Sequence, residues 1–181
     1  MLGNDIIDLN FAKIESNWRR KNYLDKIFTA DERMNILTSN NPDLMVWLLW
    51  SMKESAYKIV NRLTGKRLYN PKAFSCKNIN FTDDSLTGSV LYDEEKFLIR
   101  SEIRNDFIHS TAVSPQVFLE KITINFYQNK SNYVQEFNEA QQVYHLQKNN
   151  QGLPELLNLR SNTKHLTSIS HHGKHLAIAF I

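Results

Sequence analysis

The chain has 181 residues, a length typical of one domain. Hydrophobic residues make up 41% of it and charged residues 23%, which excludes a disordered chain and suffices for a buried core. The net charge of +3 is compatible with an acidic partner. The longest apolar run, 44–50, is far shorter than the roughly 20 residues that span a membrane. Because the first residues resemble no secretory signal and Cys76 is the single cysteine, we expect a cytoplasmic protein without membrane contact.

The N-terminal third of the chain predicts one strand followed by helices. Thr29 and Glu32 have the spacing of a capping box, which marks a helix start. Apolar residues at three- and four-residue steps then predict a longer helix, with Gly65 as its C-cap. We expect a strand over 3–9 and helices over 13–26, 30–38 and 43–63.

From residue 74 onward, alternation of apolar and polar residues predicts strands. We expect strands over 74–81, 88–92, 97–103, 107–113 and 122–126, and a helix over 132–148. The chain ends in a predicted hairpin with its turn at Gly173. No internal repeat is visible in the sequence. These elements predict the α+β class, with helices first and strands later.

Two acids and two lysines in the predicted elements are candidates for chemistry. Asp5 lies in the first strand, and Glu54 lies mid-helix beside an apolar stripe, where a carboxylate needs a cation or a donor. Glu54 and Lys58 can form a surface ion pair worth about 0.3–0.5 kcal/mol. Alternatively, Asp5 and Glu54 hold Mg²⁺, while Lys53 and Lys58 supply positive charge for a phosphate. That equipment is typical of phosphoryl transfer.

Three short motifs decide between these interpretations. They are G-N-D-I at 3–6, F-T-A-D-E at 28–32 and W-S-M-K-E-S-A-Y-K at 50–58. Together they resemble the 4′-phosphopantetheinyl transferase superfamily, whose members carry G-x-D-[IV], F-[ST]-x-x-E and W-x-x-K-E-[AS]-x-x-K in this order. The predicted terminal hairpin contains the family's serine–histidine pair, Ser170 and His171. The resemblance covers 3–63 and, more loosely, 165–181. It implies a transferase fold in which an N-terminal strand and helices precede an antiparallel sheet.

The resemblance implies transfer of the 4′-phosphopantetheine arm from coenzyme A to a serine of an apo acyl carrier protein of fatty acid, polyketide or peptide synthesis. Asp5 and Glu54 would hold Mg²⁺ against the pyrophosphate, and Lys58 would neutralise phosphate charge. Glu54, or a metal-bound water, would take the serine proton. Lys53 would assist at the phosphates, unless it is a solvated structural lysine.

The resemblance also implies where the two substrates bind. Ser170 and His171 would contact the nucleotide end of coenzyme A, although a core or turn role remains open for His171. Arg19, Arg20 and Lys21 form a basic cluster where related synthases bind the acidic carrier. A solvated charged face is the alternative interpretation of this cluster.

The motif order resembles the holo-acyl-carrier-protein synthase branch, in which the G-x-D strand comes first and the serine–histidine pair last. In the longer two-module branch the order is reversed, and a third metal-binding acid stands where this chain has Ile7. The synthases resemble homotrimers with sites between protomers, but this chain is longer, which leaves a trimer or another homo-oligomer open. We expect one domain over 1–181 with an enlarged strand-rich middle at about 70–160.

Other functions have weaker support in the sequence. Four C-terminal histidines follow no standard zinc spacing. Glu54 lies in a predicted helix, whereas a metal-dependent nuclease would need a tight acid-x-lysine strand. No basic patch with interleaved aromatic residues supports nucleic-acid binding. The remaining alternative is a noncatalytic relative that binds a carrier protein or coenzyme A without transferring the arm.

Overall fold

The computed structural model describes residues 1–67 and 69–181 as a mixed α+β fold, which confirms the predicted class. The helices are α1 (Leu9–Glu15), α2 (Tyr23–Ile27), α3 (Ala30–Thr38), α4 (Pro42–Thr64) and α5 (Tyr133–Ala140). The strands are β1 (Leu2–Asp8), β2 (Ser75–Phe81), β3 (Ser85–Tyr92), β4 (Glu95–Ile103), β5 (Phe107–Val113), β6 (Thr123–Gln128), β7 (Tyr144–Lys148), β8 (Pro154–Asn158), β9 (Thr163–His172) and β10 (His175–Phe180). In the described residues, no helix is long and apolar enough to cross a membrane.

The strands form two antiparallel sheets of five strands each. The first sheet has the order β1-β5-β4-β3-β2, and the second has the order β6-β10-β9-β8-β7. Both sheets therefore follow the same order. In each, the first strand along the chain pairs with the last, and the remaining strands follow in reverse order. The fold contains a repeat of topology although the sequence shows no repeat of residues.

The two sheets pack against each other through β1 and β9, and each carries a helix on its outer face. Alternate residues of β1 face opposite ways. A Cβ atom on Gly3 would overlap the carbonyl oxygen of Ser55, so this side of β1 lies directly against α4. Asn4 faces the second sheet and bonds to Ser170. On the far side of the second sheet, Phe137 of α5 belongs to a separate apolar cluster. We call the contact between β1 and β9 the seam.

The predicted helix over 13–26 is wrong, because the chain forms two short helices there. The Asp8 side chain accepts hydrogen bonds from the backbone of Asn10 and Phe11, which starts α1 four residues earlier than predicted. Ser16 then has extended backbone. Asn22 has a positive φ of 63°, so the segment between α1 and α2 is not helical.

The predicted helix over 132–148 is also wrong in its second half. Helix α5 ends at Ala140, and the following residues form β7, which pairs with the unpredicted strand β8. The Asn138 side chain bonds to both the N–H and the carbonyl of Leu146, which turns the chain back. The apolar spacing of this segment suits either structure, and pairing with β8 decides for the strand. The other predicted strands and helices are present, with shifted ends.

Candidate active site

Helix α4 carries Glu54 and Lys58 past the middle of β1. Its N-terminus is capped by the side chain of Asn41, and Gly65 ends it with a left-handed φ of 69°, as predicted. Asp5 lies two residues after Gly3 on β1, so both residues are on the face that packs against α4. The G-x-D strand and the W-x-x-K-E helix therefore meet where the side chains of Asp5, Glu54 and Lys58 lie.

The two acids, Asp5 buried and Glu54 partly buried, lie next to the amine of Lys58. Asp5 is only 9% exposed, and its Oδ1 lies 3.4 Å from Nζ of Lys58. Burial raises the pKa of Asp5 above its ordinary value, although Lys58 opposes this shift. Burial and the nearby charge of Asp5 raise the pKa of Glu54 to about 7. When both carboxyls are ionised, two negative charges therefore face the one positive charge of Lys58.

The donor set of this pair fits a divalent cation. Oδ2 of Asp5 is buried and has no hydrogen-bond partner within 1–67 and 69–181. Mg²⁺ prefers carboxylate oxygens and takes one or two from a protein, with the rest from water and phosphates. Ile7, where a third acid would stand, packs into the core. In the part of the chain that is described, no three or more His, Cys, Asp or Glu side chains form a metal-binding group.

Lys58 is held at the seam rather than free in solvent. Its Nζ donates to the carbonyl of Asn4 at 2.6 Å and to that of Ile169 at 3.4 Å. The side chain nevertheless remains 31% exposed. The amine is thus both positioned by the backbone and accessible to a substrate beside Asp5.

Lys53 lies away from the acid pair, in the interior between α3, α4 and β2. Its side chain is 0% exposed, and its Nζ lies 2.7 Å from Oε2 of Glu32. The amine also donates to the carbonyls of Pro71 and Phe74. These contacts correct the expectation that Lys53 reaches the phosphates of coenzyme A, because three acceptors already enclose its amine.

Ser170 and His171 point to opposite sides of β9, as alternation along a strand requires. Ser170 is 3% exposed and its hydroxyl accepts a hydrogen bond from Nδ2 of Asn4 at 2.9 Å, so it faces the seam. His171 is exposed and lines a cleft of about 300 Å³ with Lys148 and Ile169. Only the histidine is accessible to a ligand, which differs from the expectation that both residues contact the nucleotide.

The three residues of the basic cluster differ in how free they are to meet a partner. Arg19 forms two hydrogen bonds with Asp43, at 2.8 and 2.9 Å. Arg20 stacks over the Tyr23 ring and lines a cleft of about 350 Å³ that Trp50 of α4 also lines. Lys21 is exposed. Arg20 and Lys21 are therefore better placed than Arg19 to meet a partner.

Three residues at the site were not predicted from the sequence. Asn4 fills the variable position of G-x-D, and His109 of β5 bonds to its side chain. Nδ1 of His172 accepts a hydrogen bond from the backbone N–H of Asp8 at 3.0 Å, while its Nε2 lies 3.0 Å from Oε2 of Glu15. The sequence offers only a weak indication of a role for Asn4, namely a polar residue within an apolar strand. The other two depend on contacts across the sheets, which have no local signal.

Comparison with known families now gives the class of protein. The family described as the 4′-phosphopantetheinyl transferase superfamily matches residues 1–113, which span the first sheet and α1 to α4. The chain therefore belongs to this superfamily, and the assignment from its three motifs is confirmed. The family supports phosphopantetheinyl transferase activity in general. Residues 114–181, which include the whole second sheet, lie outside the match. No curated protein matches the chain.

Proposed function

We propose that the protein transfers the 4′-phosphopantetheine arm from coenzyme A to a serine of an apo acyl carrier protein, as a transferase of the holo-acyl-carrier-protein synthase type. The observation that carries this proposal is the cluster of Asp5, Glu54 and Lys58, in which a buried carboxylate oxygen lacks a partner. The cytoplasm, where acyl carrier proteins and coenzyme A are available, is the proposed location.

Asp5 and Glu54 are the proposed ligands of Mg²⁺. When bound, Mg²⁺ neutralises charge on the pyrophosphate and so favours attack at phosphorus. Lys58 lies beside Asp5 with its amine partly exposed, and it supplies a fixed positive charge to the same phosphate oxygens. A noncatalytic relative would have no need for this complete set.

In the proposed reaction, the serine oxygen of the carrier forms a bond to the phosphorus on the pantetheine side. The bond from that phosphorus to the bridging oxygen breaks, and adenosine 3′,5′-bisphosphate leaves. Glu54 of α4, which lies beside Asp5, accepts the serine proton as the general base. The negative charge that develops on the phosphates is stabilised by Lys58.

The cleft at His171 is the proposed site for the nucleotide end of coenzyme A. Ile169 lines this cleft, and its carbonyl oxygen accepts a hydrogen bond from Lys58. Ile169 therefore borders both the cleft, as one of its lining residues, and the amine of Lys58, through its carbonyl oxygen. His171 and Lys148 supply polar groups at its wall, and Tyr133 supplies an aromatic ring for the adenine.

The carrier protein is proposed to dock on Arg20 and Lys21. Acyl carrier proteins are expected to present acidic side chains, which complement this surface. Arg20 lines the cleft next to Trp50, one helical turn before Glu54 on α4. A carrier bound there would have a short path for its serine to the acid pair.

One chain of 1–181 is proposed to act as a single domain that contains the complete site. Lys58 belongs to α4 on the first sheet, and one of the two carbonyls that hold it, that of Ile169, belongs to the second sheet. The strand-rich middle supplies the rest of the first sheet and the beginning of the second. A trimer is therefore not required to assemble these residues.

The test is intact-mass spectrometry of an apo acyl carrier protein incubated with the protein, coenzyme A and Mg²⁺. We expect a mass gain of one phosphopantetheine arm that is lost with EDTA and in Glu54→Gln. The matched control is Glu136→Gln, which removes an exposed carboxylate paired with Lys130 and should leave the mass gain intact.

Each other outcome has a distinct meaning. Binding of coenzyme A or of several carriers without a mass gain would support the noncatalytic alternative. A mass gain that survives both EDTA and Glu54→Gln would refute the proposed role of the acid pair. Neither binding nor a mass gain would refute the proposed function.

A further inference from the structure

The amine of Lys58 is held by two carbonyl oxygens that belong to different sheets. One is the carbonyl of Asn4 on β1, at 2.6 Å, and the other is that of Ile169 on β9, at 3.4 Å. A change in the spacing of β1 and β9 would move these acceptors apart. The position of the amine therefore depends on the seam.

Two hydrogen bonds from Asn4 fix that spacing. Its backbone N–H donates to Oγ of Ser168 at 3.0 Å, and its Nδ2 donates to Oγ of Ser170 at 2.9 Å. The two serines stand on either side of Ile169, whose carbonyl binds Lys58. Asn4 and both serines are less than 5% exposed, at 0%, 4% and 3%, so water does not compete for these bonds.

His109 orients the Asn4 side chain within this network. Nε2 of His109 lies 3.1 Å from Nδ2 of Asn4, which is also 3.4 Å from the carbonyl oxygen of Ala177. Burial holds the pKa of His109 at about 3, so the ring is neutral and Nε2 can act as an acceptor. The histidine comes from β5, outside the motifs at 3–6, 28–32 and 50–58, and it helps to orient the amide that spans the seam.

We propose that Asn4 and Ser170 are positioning residues that act through Lys58, because they lock the two carbonyls that hold its amine. In this role Ser170 supports the reaction through its hydrogen bond at the seam, and it does not contact the nucleotide. The kinetic part of this inference rests on the proposed transferase function, whereas the structural part concerns Lys58 alone.

The structural part is tested by the reactivity of the Lys58 amine toward a small amine-acylating reagent, followed by peptide mass spectrometry. The variant is Ser170→Ala, which removes one hydroxyl, with Asn4→Ala as a second. The control is Ser101→Ala, which removes an equally buried hydroxyl that bonds to Ser110 at 2.8 Å between β4 and β5, outside the seam. Lys77 of β2, whose side chain is 39% exposed, serves as the internal reference in each sample.

We expect Ser170→Ala and Asn4→Ala to raise the labelling of Lys58 relative to Lys77 severalfold, since a released amine is more accessible. Ser101→Ala should leave this ratio unchanged. Unchanged labelling in both seam variants, or an equal rise in Ser101→Ala, would overturn the inference. This measurement needs no transferase activity. Its result can therefore be interpreted even if the proposed function is wrong.

The kinetic part is tested by a double-mutant cycle with Lys58→Ala. We expect Ser170→Ala to lower kcat by about tenfold with little change in KM for coenzyme A, because displacing a catalytic group by less than 1 Å has effects of this size. In the Lys58→Ala background, Ser170→Ala should change kcat by less than about twofold. A raised KM for coenzyme A, or full additivity with Lys58→Ala, would overturn the inference in favour of a direct nucleotide contact.

Discussion

Glu32 and Lys53 form a completely buried ion pair that joins two motifs of the family. Oε2 of Glu32 lies 2.7 Å from Nζ of Lys53, and the side chains are 1% and 0% exposed. The same carboxylate accepts from the backbone N–H of Thr29, and its other oxygen accepts from that of Cys76. Lys53 also lies 5.4 Å from the ring centre of Phe28. The motif F-T-x-x-E therefore supports the lysine next to Glu54. Phe28 and Glu32 contact Lys53, and Thr29 caps the helix that carries Glu32.

This pair should be critical for stability. Lys53→Met leaves the Glu32 carboxylate buried without its cation, and we expect it to lower the free energy of unfolding by about 3–5 kcal/mol. Adding Glu32→Gln removes the uncompensated charge and should recover part of that loss. Lys77→Met is the control, since its exposed pair with Asp31 should contribute less than about 1 kcal/mol. Urea denaturation measures all four proteins, and equal losses for the two lysines would contradict the prediction.

The raised pKa of Glu54 predicts how stability depends on pH. The folded protein holds this proton up to a pKa of about 7, above the ordinary value of 4.5, so it binds the proton more tightly than the unfolded chain. Without metal, stability from this group is therefore present below about pH 4.5 and is lost as the pH rises through 7.

Glu54→Gln cannot ionise and escapes this loss. We expect its advantage over the wild type in free energy of unfolding to grow by about 1–3 kcal/mol between pH 5 and pH 8. Added Mg²⁺ should stabilise the wild type at pH 8 and leave Glu54→Gln unchanged. Denaturant titrations at several pH values measure this difference, and a constant difference across the range would refute the prediction.

Gly3 sets the distance between β1 and α4. A methyl group at this position would overlap the Ser55 carbonyl oxygen, so we expect Gly3→Ala to lower the free energy of unfolding by about 3 kcal/mol and to weaken the response to Mg²⁺. Gly65→Ala is the control: its Cβ meets nothing within 4 Å, but its φ of 69° costs about 1 kcal/mol. Thermal unfolding with and without Mg²⁺ compares the two variants, and equal metal responses would argue against this role of Gly3.

The basic cluster should contribute unequally to carrier binding. Arg20→Ala and Lys21→Ala should each raise KM for the carrier severalfold at low salt, and the effect should shrink at high salt. Arg19→Ala should have the smaller effect, because its guanidinium is already paired with Asp43. Steady-state kinetics at two salt concentrations, with KM for coenzyme A as the internal control, tests this order. A dominant effect of Arg19→Ala would reverse it.

Because both sheets that hold Lys58 belong to one chain, we expect specific activity to be independent of protein concentration. Dilution below the dissociation constant of any oligomer should leave the rate per molecule unchanged. Sedimentation velocity at the same concentrations supplies the oligomeric state. A specific activity that falls as a trimer dissociates would show that a second chain completes the site.

The sequence by itself determined the features that depend on neighbouring residues. Helix α4, the capping box at Thr29 and Glu32, and the left-handed Gly65 follow from local spacing and local backbone preferences. The three motifs named the family for the same reason, since each is a short run of fixed residues. Where helix and strand share one local pattern, as for Tyr144 in the segment predicted as helix and found as β7, the choice between them cannot be read from neighbouring residues.

Only the tertiary structure decided what the polar side chains of the motifs do. Lys53 and Lys58 lie five residues apart on one helix, yet one amine is enclosed by Glu32 and the other reaches the seam. Ser170 bonds to Asn4 across 166 positions of the chain. The repeated strand order requires a similar alternation of apolar and polar residues in the two sheets, but not similar residues. Such contacts are set by how the sheets pack, because a hydrogen bond depends on ångström-scale geometry that residue identity alone does not carry.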